Sequence, residues 1–120
     1  MITNISETVR NISARISVVD FELAKAYIQG AVHSYCNDNN NQTEISVRIL
    51  FGGNNGDWAG TPLQCIYDYH LYVAKSKDAF ASAANDVGWL FKRVLKEDEH
   101  RKFEFVRKET GSVYRFVGMV

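Results

Sequence analysis

Val87-Gly88-Trp89-Leu90-Phe91-Lys92-Arg93-Val94-Leu95 is the stretch that decides how this chain is read. Its apolar members extend a stripe that starts at Phe80 and runs through Ala83, Ala84, Val87, Leu90, Phe91, Val94 and Leu95. Spacings of three and four residues place them on one side of a helix. Ser76 or Asp78 supplies the N-cap, and the helix is predicted to end near Lys96. At about 100° per residue, the side opposite Phe80, Val87 and Phe91 holds Ser82, Asn85, Asp86, Trp89, Lys92, Arg93 and Lys96.

Upstream, Thr61-Pro-Leu-Gln64 reads as a helix start: Thr caps, Pro takes the first helical position, and Gln completes a capping box. That helix is predicted to reach about Ala74, with Leu63, Ile66, Tyr67 and His70 on one side. Only Lys75 then precedes the next cap, so the two helices turn sharply against each other. Downstream, Lys102 to Lys108 and Val113 to Met119 alternate around Thr110-Gly111, which predicts a β-hairpin. Its apolar face is Phe103, Phe105, Tyr114 and Phe116. A two-residue turn at Thr110-Gly111 would set Phe105 opposite Phe116 and Arg107 opposite Tyr114.

Toward the N-terminus, Glu44 to Ile49 alternates as a short strand. Ala24, Tyr27, Ile28, Ala31, Val32, Tyr35 and Cys36 trace a helix capped by Ser17 or Asp20 and ending near Asn37. Ile5, Val9, Ile12 and Ile16 form a narrower stripe, which predicts a further helix over 4–16. The class is α+β, and 120 residues suit one domain over 1–120. Hydrophobic residues make up 46% of the chain, enough for a core at this size.

Lys plus Arg and Asp plus Glu are both 14, so the net charge is zero and the overall balance gives nucleic acid no support. The distribution is uneven: residues 75–120 hold ten basic against seven acidic side chains, and residues 1–74 the reverse bias. Cys36 and Cys65 stand apart, with no CxxC pair and no zinc spacing, so two reduced thiols and no metal are expected. No apolar run approaches a membrane span and no secretory leader is evident, which predicts a cytoplasmic protein.

Without the helix 4–16, the order is α-β-α-α-β-β over residues 20–120, and that order resembles the winged-helix superfamily. The resemblance rests on this order and on the segment 87–95 followed by the hairpin; no subfamily motif is present. It implies a helical core with a C-terminal hairpin wing, here with the extra N-terminal helix, and helix 78–96 as the recognition helix. It further implies a non-enzymatic DNA-binding protein, a small transcriptional regulator without a cofactor, on double-stranded DNA. Ser82, Asn85, Trp89, Lys92, Arg93 and Lys96 would face DNA, with Lys102, Arg107, Lys108 and Arg115 from the wing. Asn85 and Arg93 have the chemistry to read bases, and Lys92, Lys96, Lys102, Lys108 and Arg107 that of phosphate contacts. Helix 4–16 is available to pair two copies into a homodimer. Asp86 and the run Glu97-Asp98-Glu99 oppose this reading, because carboxylates repel phosphate.

The alternative is a protein-interaction module on the same fold (an inhibitor, immunity or adaptor protein) with Trp58 and Trp89 as anchors, while Trp58 is equally placed to fold back onto the core. Catalysis has little support. The loop 52–58 is glycine-rich but lacks the phosphate-loop lysine and hydroxyl, and reads as a connector. Asp68 and His70 are two residues apart on a helix and face different ways. His70 lies on the apolar side and reads as a hydrogen-bonded core residue.

Overall fold

The N-cap of the first long helix is set by Ser17, whose hydroxyl accepts the Asp20 N–H at 3.1 Å. From there α1 (Val18–Asp38) buries Phe21, Ala24, Ile28, Val32 and Cys36 along one stripe. The computed structural model describes residues 1–39, 42–52 and 58–120. β1 (Thr43–Ile45) follows, then the short α2 (Val47–Phe51). The strand expected over 44–49 stops early because the Ser46 hydroxyl takes the Ile49 N–H at 3.1 Å and starts a helical turn. Most of the glycine-rich loop, residues 53–57, lies outside the described residues.

α3 (Gln64–Asp68) runs directly into a π-helical turn, Tyr69–Val73. The expected capping box at Thr61 does not form. Thr61 instead closes a turn, donating its hydroxyl to the Trp58 carbonyl at 2.8 Å and accepting the Leu63 N–H at 3.2 Å. Gln64 reaches forward to Asp68 at 2.9 Å. The sharp reversal after Val73 uses Lys75 in a left-handed conformation, φ +50°. Asp78 then caps α4 (Ala79–Glu97), accepting the Ala81 N–H at 3.0 Å.

β2 (Arg101–Glu109) and β3 (Gly111–Met119) form the C-terminal hairpin, and β1 pairs antiparallel with β3, giving the order β1-β3-β2. The register differs from that expected. Phe105 stands opposite Tyr114, Phe103 opposite Phe116 and Arg107 opposite Val113, with irregularities at 102/103 and 105/107. Glu109 pairs with Gly111 across Thr110 alone, so the turn is tighter than a two-residue loop, and bulges at Val106 on β2 and Val117 on β3 shift the register by one residue and back. The apolar face is as expected: Phe103, Tyr114 and Phe116 are buried and Phe105 packs against the core. The fold is thus α+β, with α4 packed on a three-stranded antiparallel sheet and α1 and α3 packed against α4.

The expected helix over 4–16 is absent, apart from one turn of 3-10 helix at Ser13–Arg15. Ile2 instead bridges Phe103 in parallel, Phe103 N–H donates to the Met1 carbonyl at 2.8 Å, and Thr3 N–H returns to the Phe103 carbonyl at 3.0 Å. The Asn4 amide brackets Phe105, donating to its carbonyl at 2.9 Å and accepting its N–H at 2.7 Å. Asn11 accepts the Ser13 N–H at 2.9 Å. Side chains that bond the backbone locally compete with helix formation, and the exposed edge of β2 offers this segment better partners. A homodimer paired through a 4–16 helix loses its basis.

Candidate nucleic-acid interface and its cavity

α4 carries the candidate site because its two sides are so unlike. Ala83, Val87, Leu90, Phe91, Val94 and Leu95 are buried. On the outer side, Asn85 and Lys96 are exposed, and Trp89 and Lys92 are half-buried. These four fall within an arc of about 60° at 100° per residue. The Lys92 ammonium lies 5.7 Å from the centre of the Trp89 ring, a cation–π distance that holds both side chains to the same strip.

The other expected DNA-facing residues divide. Ser82 sits half-buried on the flank of α4. Arg93 turns toward α1, bonded to Glu97 at 3.1 Å with its guanidinium 5.5 Å from the Phe21 ring. Arg107 makes a two-pronged bond to Glu44, 2.7 Å on each side, and a third to Glu109 at 2.6 Å. That hydrogen-bonded guanidinium holds the Glu44 carboxyl below the usual carboxylate range. Arg115 lies in register between Glu44 on β1 and Glu104 on β2, so the sheet's outer face is a mixed-charge lattice. Lys102 is half-buried opposite Gly118. Lys108 is exposed near the hairpin tip and joins the α4 face. Arg48 of α2 joins it too, although nothing in the local pattern around it signals this.

The carboxylates that opposed DNA binding are mostly turned away. Asp86 does not project from the polar side: it is 1% exposed. Both its oxygens accept from Arg15 Nη1, at 2.6 and 2.7 Å, and Oδ2 also accepts from His70 Nε2 at 2.6 Å. His70 Nδ1 is then left to accept the Ser76 hydroxyl at 3.1 Å. His70 is the buried, hydrogen-bonded histidine its place on the apolar side predicts, and its carboxylate comes from the next helix. A serine hydroxyl on a carboxylate-held imidazole is also how serine nucleophiles are activated. Here Arg15 claims the same carboxylate, and the four side chains tie the N-terminal turn, the π-helical turn and α4 together. Glu97 faces α1, bonded to Lys25 at 2.7 Å. Burial works to raise its pKa, but the Lys25 and Arg93 cations outweigh that and hold it low. Asp98 caps the chain reversal, accepting the His100 and Arg101 N–H groups at 2.9 and 3.0 Å. Glu99 stays exposed.

Between α4, α2 and the hairpin tip lies a cavity of about 530 Å³. Trp58, Phe80, Phe91 and Tyr114 form its apolar walls, and Ala84 and Gly88 open the α4 side. Arg48, Lys92 and Lys108 supply its charge, and no Asp or Glu is among its described lining residues. Trp58 is 1% exposed, so it is a wall of this cavity and not the surface anchor its loop position suggested. Its Nε1 is buried with no hydrogen-bond acceptor among the described residues.

Among the described residues, no group of three or more His, Cys, Asp or Glu is arranged to hold a metal ion, and no helix is long and apolar enough to cross a membrane. No family model, curated protein or solved structure matches the chain.

Proposed function

We propose that this chain is a winged-helix DNA-binding protein, a small transcriptional regulator, with α4 as the recognition helix and the β2–β3 hairpin as the wing. The sheet order β1-β3-β2 beside the tightly turned α3–α4 pair supports the topology. The observation that carries the reading is the segregation of charge. Asp86 and Glu97 are engaged on the inner sides of α4, while Arg48, Lys92, Lys96 and Lys108 have no carboxylate partner among the described residues. Asn85, exposed on the same arc, has the amide geometry that pairs with adenine in the major groove. Arg93, held by Glu97 and Phe21, is the weaker candidate for base contact.

The test compares two double substitutions by fluorescence anisotropy on a duplex at low salt. Lys92→Ala with Lys108→Ala is expected to weaken binding at least tenfold. Arg107→Ala with Arg115→Ala, on the neutralised sheet face, is expected to leave it within about twofold. The reverse ranking overturns the assignment of the face.

One observation favours a protein partner as the second reading. Val19, Leu23 and Tyr27 form a stripe on the outer side of α1 and are 68%, 53% and 37% exposed. If the chain is a protein-interaction module, this stripe, with Trp89, replaces Trp58 as the anchor.

A further inference from the structure

We propose that the cavity between α4 and the hairpin is a binding site for a small amphipathic carboxylate, a molecule with an aromatic or compact aliphatic body and one anionic end. Its volume of about 530 Å³ falls in the range of natural ligand pockets, roughly 300–1,000 Å³. The walls are of two kinds. Trp58, Phe80, Phe91 and Tyr114 offer ring faces and edges that suit an apolar body. Arg48, Lys92 and Lys108 come from three separate elements and give the lining a positive charge that none of its described residues offsets. A neutral hydrocarbon leaves those cations unanswered, and a dianion is a poor match for walls that are mostly apolar.

The space is built into α4. Gly88 stands in the middle of a long helix, where glycine is destabilising by roughly 0.5–1 kcal/mol relative to alanine. No neighbour demands it, since a Cβ at Gly88 meets nothing within 4 Å. The Trp58 indole N–H adds a second sign, because it is buried with no acceptor among the described residues, and such a donor is rare in a finished core. Asn85, Trp89, Lys92 and Lys108 belong both to the cavity lining and to the proposed DNA face. Where that reading of the face holds, the occupant and DNA exclude one another, and the carboxylate acts as a releasing effector.

The test uses 1-naphthoate as the probe and 1-naphthamide as its uncharged counterpart, titrated into the free protein by calorimetry and by shifts of the amide resonances. Saturable naphthoate binding is expected, at least tenfold tighter than naphthamide, with shifts concentrated at Ala84, Gly88 and Lys108. Arg48→Ala with Lys92→Ala is expected to remove the preference for the anion. Gly88→Leu is expected to abolish binding of both; if that variant does not fold, Ala84→Leu gives the same reading. Equal affinity for the two probes, shifts elsewhere, or binding that survives the filled cavity overturns the proposal, as does an absence of saturable binding at millimolar probe. Because no DNA is present, failure here leaves the DNA reading standing. A protein that binds naphthoate but no duplex refutes the DNA reading alone.

Discussion

Replacing Asp86 by alanine is expected to be among the most damaging single changes in the chain. The carboxylate is 1% exposed and holds two cationic or donor side chains that nothing else satisfies equally well. Removing one partner of a buried ion pair costs about 3–5 kcal/mol, because the other is left desolvated. Arg15 lies at the low end of that cost: its side chain is 32% exposed and can turn into water. His70 cannot, since its ring is buried between the π-helical turn and α4. The expected loss is therefore about 3 kcal/mol, which corresponds to a fall in Tm of about 12 °C for a chain of this length. Asp86→Asn keeps an acceptor for His70 and discards the charge, so it falls between wild type and Asp86→Ala. Urea denaturation of Asp86→Ala, Arg15→Ala and the double variant measures the coupling directly, and a coupling of at least about 1 kcal/mol is expected. A loss below about 1 kcal/mol for Asp86→Ala, or strict additivity with Arg15→Ala, refutes the argument that this hub ties the N-terminal turn to α4.

Other substitutions and reagents probe separate parts of the account. Lys75 is left-handed at φ +50°, a region that costs a non-glycine residue about 1–2 kcal/mol, so Lys75→Gly is expected to raise stability by about 0.5–1 kcal/mol in thermal denaturation. A loss of stability there shows that Lys75 makes a compensating contact. Burial pushes the Cys36 thiol up to about 11 and also raises Cys65, so neither is a ready thiolate at pH 8. Iodoacetamide is expected to label Cys36 at the rate of global unfolding, and rapid labelling of the native protein contradicts its burial. The sign for stability follows from the raised value. The neutral thiol's contribution is full below the ordinary value of 9.0 and is lost as the pH climbs toward about 11.

Local signals were well legible in the sequence. The buried stripes of α1 and α4 and the apolar face Phe103, Phe105, Tyr114 and Phe116 follow from spacing, and capping chemistry narrows each helix start to two residues, of which the structure uses Ser17 and Asp78. Non-local choices were not. The stripe Ile5, Val9, Ile12, Ile16 has helical spacing, yet Asn4 and Asn11 bond the backbone, and the β2 edge, a hundred residues away in the chain, takes the segment instead. Ser46 reads equally as a strand residue and as a cap until the position of β3 decides. Charge was the hardest to read. Arg107 and Arg115 look free in the sequence, but pairing β1 with β3 brings Glu44 to them. Asp86 sits at the margin of the polar arc of α4, and only the docking of Arg15 and His70 shows that it is buried. One sequence-level sign was available: a histidine on an apolar face needs an acceptor, and Asp86 is the first carboxylate within the next helix.

The salt dependence of duplex binding tests the central proposal most directly. Arg48, Lys92, Lys96 and Lys108 provide about four phosphate contacts, so log K should fall with log salt at a slope of about −3.6, and affinity should drop by about 150-fold between 50 and 200 mM. Lys92→Ala with Lys108→Ala should halve that slope to about −1.8. No binding at 50 mM, or a slope the double substitution leaves unchanged, contradicts the account and turns attention to the apolar stripe of α1.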